Sequence, residues 1–102
     1  MTFENLVFEP NPFAGGIRAK MEVGDGYVIS VIAGHSAYST PRKNLASPNE
    51  FTEFEVAILD SDDMLVTEDF FPNCGDPQCN CGDEVLGYQS REDINLIIEA
   101  LK

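Results

Sequence analysis

The chain has 102 residues, 43% of them hydrophobic, with a net charge of −12. That length suits one domain with one modest core, and the hydrophobic fraction is too high for a disordered tail. Such an excess of negative charge repels nucleic-acid phosphates, so direct nucleic-acid binding is not expected, and it favours basic partners.

There is no apolar run of about 18 residues, so no membrane span is expected. The opening MTFENLVFEP lacks the basic start and long apolar segment of a signal peptide. A cytoplasmic setting is the expectation, and three thiols there are more readily reduced or metal-bound than paired as disulfides.

The charge is unevenly spread. Residues 1–43 hold four acids (Glu4, Glu9, Glu22, Asp25) and four bases (Arg18, Lys20, Arg42, Lys43). Residues 44–102 hold fourteen acids and only two bases, Arg91 and Lys102, so the second half carries the whole imbalance.

In chain order, an apolar-rich opening (Phe3, Leu6, Val7, Phe8) gives way to the turn-rich NPFAGG. Ile17, Ala19, Met21 and Val23 then alternate with Arg18, Lys20 and Glu22, a period of two that predicts a strand with one solvated face. Gly24-Asp25-Gly26 suits a tight hairpin link. Tyr27-Val28-Ile29 and Val31-Ile32 follow, β-branched or aromatic on both faces, as expected of a central strand. Residues 39–50 (STPRKNLASPNE) contain two prolines and no periodicity, and read as an exposed loop. Phe54, Val56 and Ile58 alternate with Glu53 and Glu55 to predict another strand. Asp60-Ser61-Asp62-Asp63 then reads as a turn into a short strand, Met64-Leu65-Val66.

Residues 70–84 form a second expected loop, followed by the short apolar piece Val85-Leu86-Gly87-Tyr88. Ser90 is a good helix N-cap, with Glu92 and Asp93 placed against the positive end of the helix dipole. Ile94, Ile97, Ile98 and Leu101 recur at helical spacing and make one apolar stripe. A helix this short needs something to pack on. The expected fold is therefore α+β, in a single domain over 1–102. It comprises an antiparallel meander of about four strands with one C-terminal amphipathic helix packed on it.

All three cysteines lie in PNCGDPQCNCGDE, spaced C-x4-C-x-C at Cys74, Cys79 and Cys81. Zinc takes four nitrogen or sulfur ligands, usually from two close cysteine pairs. The single histidine, His35, supplies a fourth ligand if its strand end approaches the loop, and Asp76 or Asp83 are alternatives. Gly75 and Gly82 allow tight turns around such a centre. The spacing nevertheless matches no standard zinc pattern. A redox role for Cys79 and Cys81 is disfavoured by Asp76, Asp83 and Glu84, which raise thiol pKa. A plain acidic loop ranks first, a structural zinc second and a redox device third.

No constellation demands catalysis, so a non-enzymatic role is expected. Gly34-His35-Ser36 lacks a second histidine and the G-x-S-x-G turn of a nucleophile elbow. The aspartates from Asp60 resemble the start of a calcium loop, but the glycine required at its sixth position is Leu65 and the glutamate at its twelfth is Phe71. What remains is a binding module. Its candidate partner-binding carboxylates are Glu53, Glu55, Asp60, Asp62, Asp63, Glu68 and Asp69.

GDGYVISVIAGHSAYS, FEVAILDSDDML and DEVLGYQSREDINLIIEAL, in that order, resemble a group of small acidic proteins encoded by bacteriophages and prophages. The shared pattern runs GYxxSVIxG, then YE or FE before AVLD, then DVxGY and an acidic helix start. It covers most of residues 16–101, and the cysteine-bearing FFPNCGDPQCNCG departs from it. The resemblance implies an accessory protein that binds a host nucleic-acid-handling or defence protein, its carboxylates occupying a basic groove in place of nucleic acid. The alternative is a small zinc-stabilised adaptor built on Cys74, Cys79 and Cys81. An exposed edge strand would also suit pairing of two copies into a homodimer.

Overall fold

Alternation in the sequence becomes a layered structure in which one face of the sheet is covered by the C-terminal helix together with Phe3, Leu6 and Phe51. The structure, a computed structural model, describes residues 2–12, 15–24, 26–45, 47–62, 64–67 and 85–101. Among these, five strands form one antiparallel sheet in sequence order: β1 (Glu9–Pro10), β2 (Ile17–Val23), β3 (Tyr27–Ala33), β4 (Phe54–Leu59) and β5 (Leu86–Gln89). Helix α1 (Arg91–Ala100) closes the chain. The α+β meander is as the sequence predicts, with one strand more than the four expected.

Register explains which residues share a face. Ile17 pairs with Ala33, Ala19 with Val31 and Met21 with Ile29, while Ile29 pairs with Ile58 and Val31 with Val56. These side chains point to one side, where Ile29, Val31, Phe54, Val56 and Ile58 are completely or almost completely buried. Ile94, Ile97 and Ile98 of α1, with Leu101 just after it, meet them there, as their helical spacing predicts. The opposite face carries Arg18, Lys20 and Glu22 of β2, Val28, Ser30 and Ile32 of β3, and Glu55, Ala57 and Leu59 of β4.

The two strands that the sequence hides are short. In β1, Glu9 pairs with Arg18 and Pro10 with Ile17, and the Glu9 carboxylate accepts from Arg18 Nε at 3.0 Å. Beyond β1, the Asn11 N–H donates to the Gly16 carbonyl at 2.9 Å. Hydrogen-bonded pairs alternate along an antiparallel ladder, so Glu9 and Arg18 form the next one. Pro10 falls between the two, where its missing N–H costs no ladder bond. The expected strand Met64-Leu65-Val66 is reduced to a single bridge, Leu59 with Leu65, backed by the Val66 N–H on the Ile58 carbonyl at 2.8 Å. The missing hydrogen-bond partner of the Ile58 N–H is supplied by the buried Thr67 hydroxyl at 2.9 Å.

The entry to α1 is over-determined. Ser90 Oγ accepts from the Asp93 N–H and Asp93 Oδ2 accepts from the Ser90 N–H, both at 3.1 Å, a reciprocal capping box. Arg91 then turns its guanidinium onto the carbonyls of Phe51 (2.9 Å) and Pro48 (2.7 Å). The same group lies over the rings of Phe3 (5.1 Å) and Phe54 (5.4 Å). One of the two bases in the acidic half is thus consumed in fixing the helix to the segment before β4.

Candidate functional site

The carboxylates proposed to form one binding face are split by β4. Glu53 and Glu55 stand at its start, and Asp60 and Asp62 follow its end. At about 3.3 Å of rise per residue the two groups lie roughly 20 Å apart. At the far end, Asp60 Oδ1 accepts from the N–H groups of Asp62 (2.8 Å) and Met64 (3.0 Å), which shapes the turn. Asp63, Glu68, Asp69, Cys74, Cys79 and Cys81 lie outside the described residues. His35 is exposed beyond the end of β3, its backbone N–H donating to Asn44 Oδ1 at 2.8 Å. Among the described residues no group of three His, Cys, Asp or Glu side chains is arranged to hold a metal ion.

At the near end, the glutamates meet features that the sequence did not advertise. Phe54 pairs with Gln89 and Val56 with Leu86, so the single residue Glu55 of β4 faces two of β5, Gly87 and Tyr88. This is a β-bulge, a device that bends a strand and re-aims a side chain. Tyr88 sits in it at φ 56°, the only non-glycine residue with positive φ among the described residues. Bulky side chains avoid that region, and holding one there costs of order 1–3 kcal/mol.

The surroundings hold Tyr88 in place. Its N–H donates to the Tyr38 carbonyl at 2.9 Å. Tyr38 belongs to a segment pinned from inside by the buried Ser39, whose Oγ accepts from the Gly34 N–H (3.2 Å) and donates to the Pro41 carbonyl (3.0 Å). Thr40 extends the sheet by bridging to Glu53, and its hydroxyl donates to Glu53 Oε1 at 2.8 Å. Residues 39–50, expected as a plain exposed loop, therefore include a buried anchor and a rung of the sheet.

The product is a platform on the sheet face away from α1. The rings of Tyr38 and Tyr88 lie 6.1 Å apart at 45°, and the two residues are 49% and 40% exposed. The Arg42 guanidinium carbon is 5.4 Å from the Tyr38 ring centre. Glu55 Oε1 accepts a long bond from the Tyr38 N–H at 3.4 Å. Burial holds the Glu55 carboxyl above the usual carboxylate range, against the pull of the Tyr38 N–H and the Arg42 charge.

Chemically, exposed aromatic faces beside carboxylates suit recognition of guanidinium or ammonium groups, and tyrosine is over-represented among residues that carry binding energy. Sequence reasoning named Glu53 and Glu55 but missed Tyr38, Tyr88 and Arg42. Leu86–Gln89 is too short to show a period, and the bulge breaks the alternation on which a face assignment rests.

Comparison with protein-family models, curated proteins and solved structures found no match. No helix among the described residues is long and apolar enough to cross a membrane.

Proposed function

We propose that this chain is a small non-catalytic binding protein that docks on a basic surface of a partner protein through the Tyr38–Tyr88 platform and its flanking Glu53 and Glu55. The observation that carries this reading is Tyr88: a strained, exposed aromatic, held beside a second exposed aromatic and a half-buried carboxylate. Folding alone gains little from such an arrangement, whereas strain of this kind concentrates where a surface is used. The long-range field of a chain with net charge −12 steers a basic partner, and the aromatic pair supplies short-range contact.

Read with the resemblance to phage accessory proteins, the partner is a host protein whose basic groove ordinarily takes nucleic acid, and occupancy by this chain excludes that ligand. The experiment is capture from a bacterial lysate on the immobilised chain, with identification of what is retained. Retention of basic nucleic-acid-binding proteins, released by added DNA, by high salt and by the double substitution Tyr38→Ala/Tyr88→Ala, is the expected result. Capture indifferent to DNA, salt and both tyrosines overturns the proposal.

A further inference from the structure

Among the described residues, the opposite edge of the sheet is open. β1 covers only Ile17 and Arg18 of β2, and the chain before β1 leaves the sheet. Val7 is 80% exposed, and Val7, Glu9, Arg18, Ala19 and Lys20 line a cleft of about 300 Å³. From Ala19 to Val23, β2 has no strand partner on this side among the described residues. Lys20 and Glu22 are exposed there.

The direction of the backbone groups follows from the ladder. The bond from Asn11 to Gly16 makes that pair, then Glu9 with Arg18, the hydrogen-bonded ones. Even-numbered residues of β2 therefore aim N–H and C=O at the edge, and odd-numbered ones aim theirs at β3. Lys20 and Glu22 present four edge-facing backbone groups in a row.

The geometry points to a second copy of this chain as the occupant, added antiparallel along β2 about a two-fold axis at Met21. In that register Lys20 lies opposite the partner's Glu22, and Glu22 opposite the partner's Lys20. Each of these pairs exchanges both backbone hydrogen bonds. Met21 meets the partner's Met21, and Ala19 meets the partner's Val23, on the core face. Neighbouring two-fold registers that keep the faces aligned set Lys20 against the partner's Lys20, or Glu22 against the partner's Glu22. Like charges directly opposite are destabilising, and the Lys20–Lys20 register would also bring the partner's Glu22 to Arg18, a place that Glu9 already holds, so charge and β1 together select one register.

The wider charge distribution agrees. Two copies carrying −12 each repel, but β2 belongs to residues 1–43, whose four acids and four bases cancel. This is the part of the molecule where two copies approach at least electrostatic cost. An isologous contact of this kind joins two sheets into one of ten strands. It leaves the Tyr38–Tyr88 platform, two strands away beyond β3 and β4, untouched.

The test is sedimentation equilibrium over a concentration series at low salt. The intact chain shows a reversible monomer–dimer equilibrium. Lys20→Glu alone and Glu22→Lys alone each weaken dimerisation about tenfold or more, since each turns two attractive pairs into two repulsive ones. The double exchange Lys20→Glu/Glu22→Lys restores it, and a mixture of the two single variants forms a heterodimer in which every charge again meets its opposite. Circular dichroism confirms that these exposed substitutions leave the fold intact. A chain that stays monomeric to its solubility limit overturns the proposal, as does a dimer indifferent to the single exchanges or a double exchange that fails to restore it.

Discussion

Tyr38 and Gly87 lie so close that a Cβ on Gly87 would come within 2.9 Å of the Tyr38 Cβ. That atom is fixed to the backbone, so the clash cannot be relieved by turning a flexible side-chain end. Gly87→Ala must push the Tyr38 segment away from β5 and lengthen the bond between the Tyr88 N–H and the Tyr38 carbonyl. The expected cost is about 1–3 kcal/mol, typical of overpacking, read as a lower urea midpoint with unchanged slope. A change in tyrosine fluorescence should accompany it, because both rings of the platform move.

Arg91 is the charge whose loss should hurt most. It donates to two carbonyls 40 and 43 residues away and covers two phenylalanine rings. Arg91→Ala strands both acceptors and removes the cation from the ring faces, for an expected loss of about 2–3 kcal/mol. Arg91→Lys keeps the charge but has no planar fork to span two acceptors, so it recovers only part of that loss in chemical denaturation.

The contrast between Arg91 and α1 shows what a sequence discloses about this fold. Ile94, Ile97, Ile98 and Leu101 are readable because four apolar residues recur at helical spacing. Ile17 to Val23 and Phe54 to Ile58 are readable because alternation runs for seven and five residues. Arg91 reaches across the chain to Pro48 and Phe51, a pairing with no local period. Glu9–Pro10 is two residues long and contains the residue least expected in a strand, tolerated only because Pro10 occupies a position where no N–H is required. The platform was half legible: Glu53 and Glu55 announced themselves by charge. Tyr38 and Tyr88 are brought together by a bulge and a pinned loop, neither of which leaves a pattern in sequence.

Glu55 should leave a signature in the pH dependence of stability. Burial raises its carboxyl above the ordinary range, so the folded state holds that proton more tightly than the unfolded chain does. Its ionisation therefore works against folding. The cost is absent below the ordinary carboxylate pKa, grows as pH rises through the raised folded value and is constant above it. Glu55→Gln removes the titration. The variant should be more stable than the parent at neutral pH by less than about 1 kcal/mol, given the solvent screening at a half-buried site, and the gap should close in acid. A variant less stable than the parent at neutral pH, with the difference vanishing in acid, would mean that attraction to Arg42 outweighs burial.

The decisive substitution concerns Tyr88 itself. In an ordinary strand alanine is preferred to glycine, because glycine has more backbone freedom to lose. At φ 56° the order should invert. Glycine relieves strain of order 1–3 kcal/mol, while alanine loses the ring and keeps the strain. The expected ranking in urea denaturation is Tyr88→Gly above Tyr88→Ala. Tyr88→Gly should lie within about 1 kcal/mol of the parent, since relief of strain offsets loss of the contact with Tyr38. The same two variants should be equally deficient in partner capture, because both remove the exposed ring. A protein that keeps its stability with glycine at 88 and loses its partner would separate the use of Tyr88 in binding from its use in folding. Glycine less stable than alanine there would show that the bulge does not strain the chain, and would remove the main support for the platform as a binding surface.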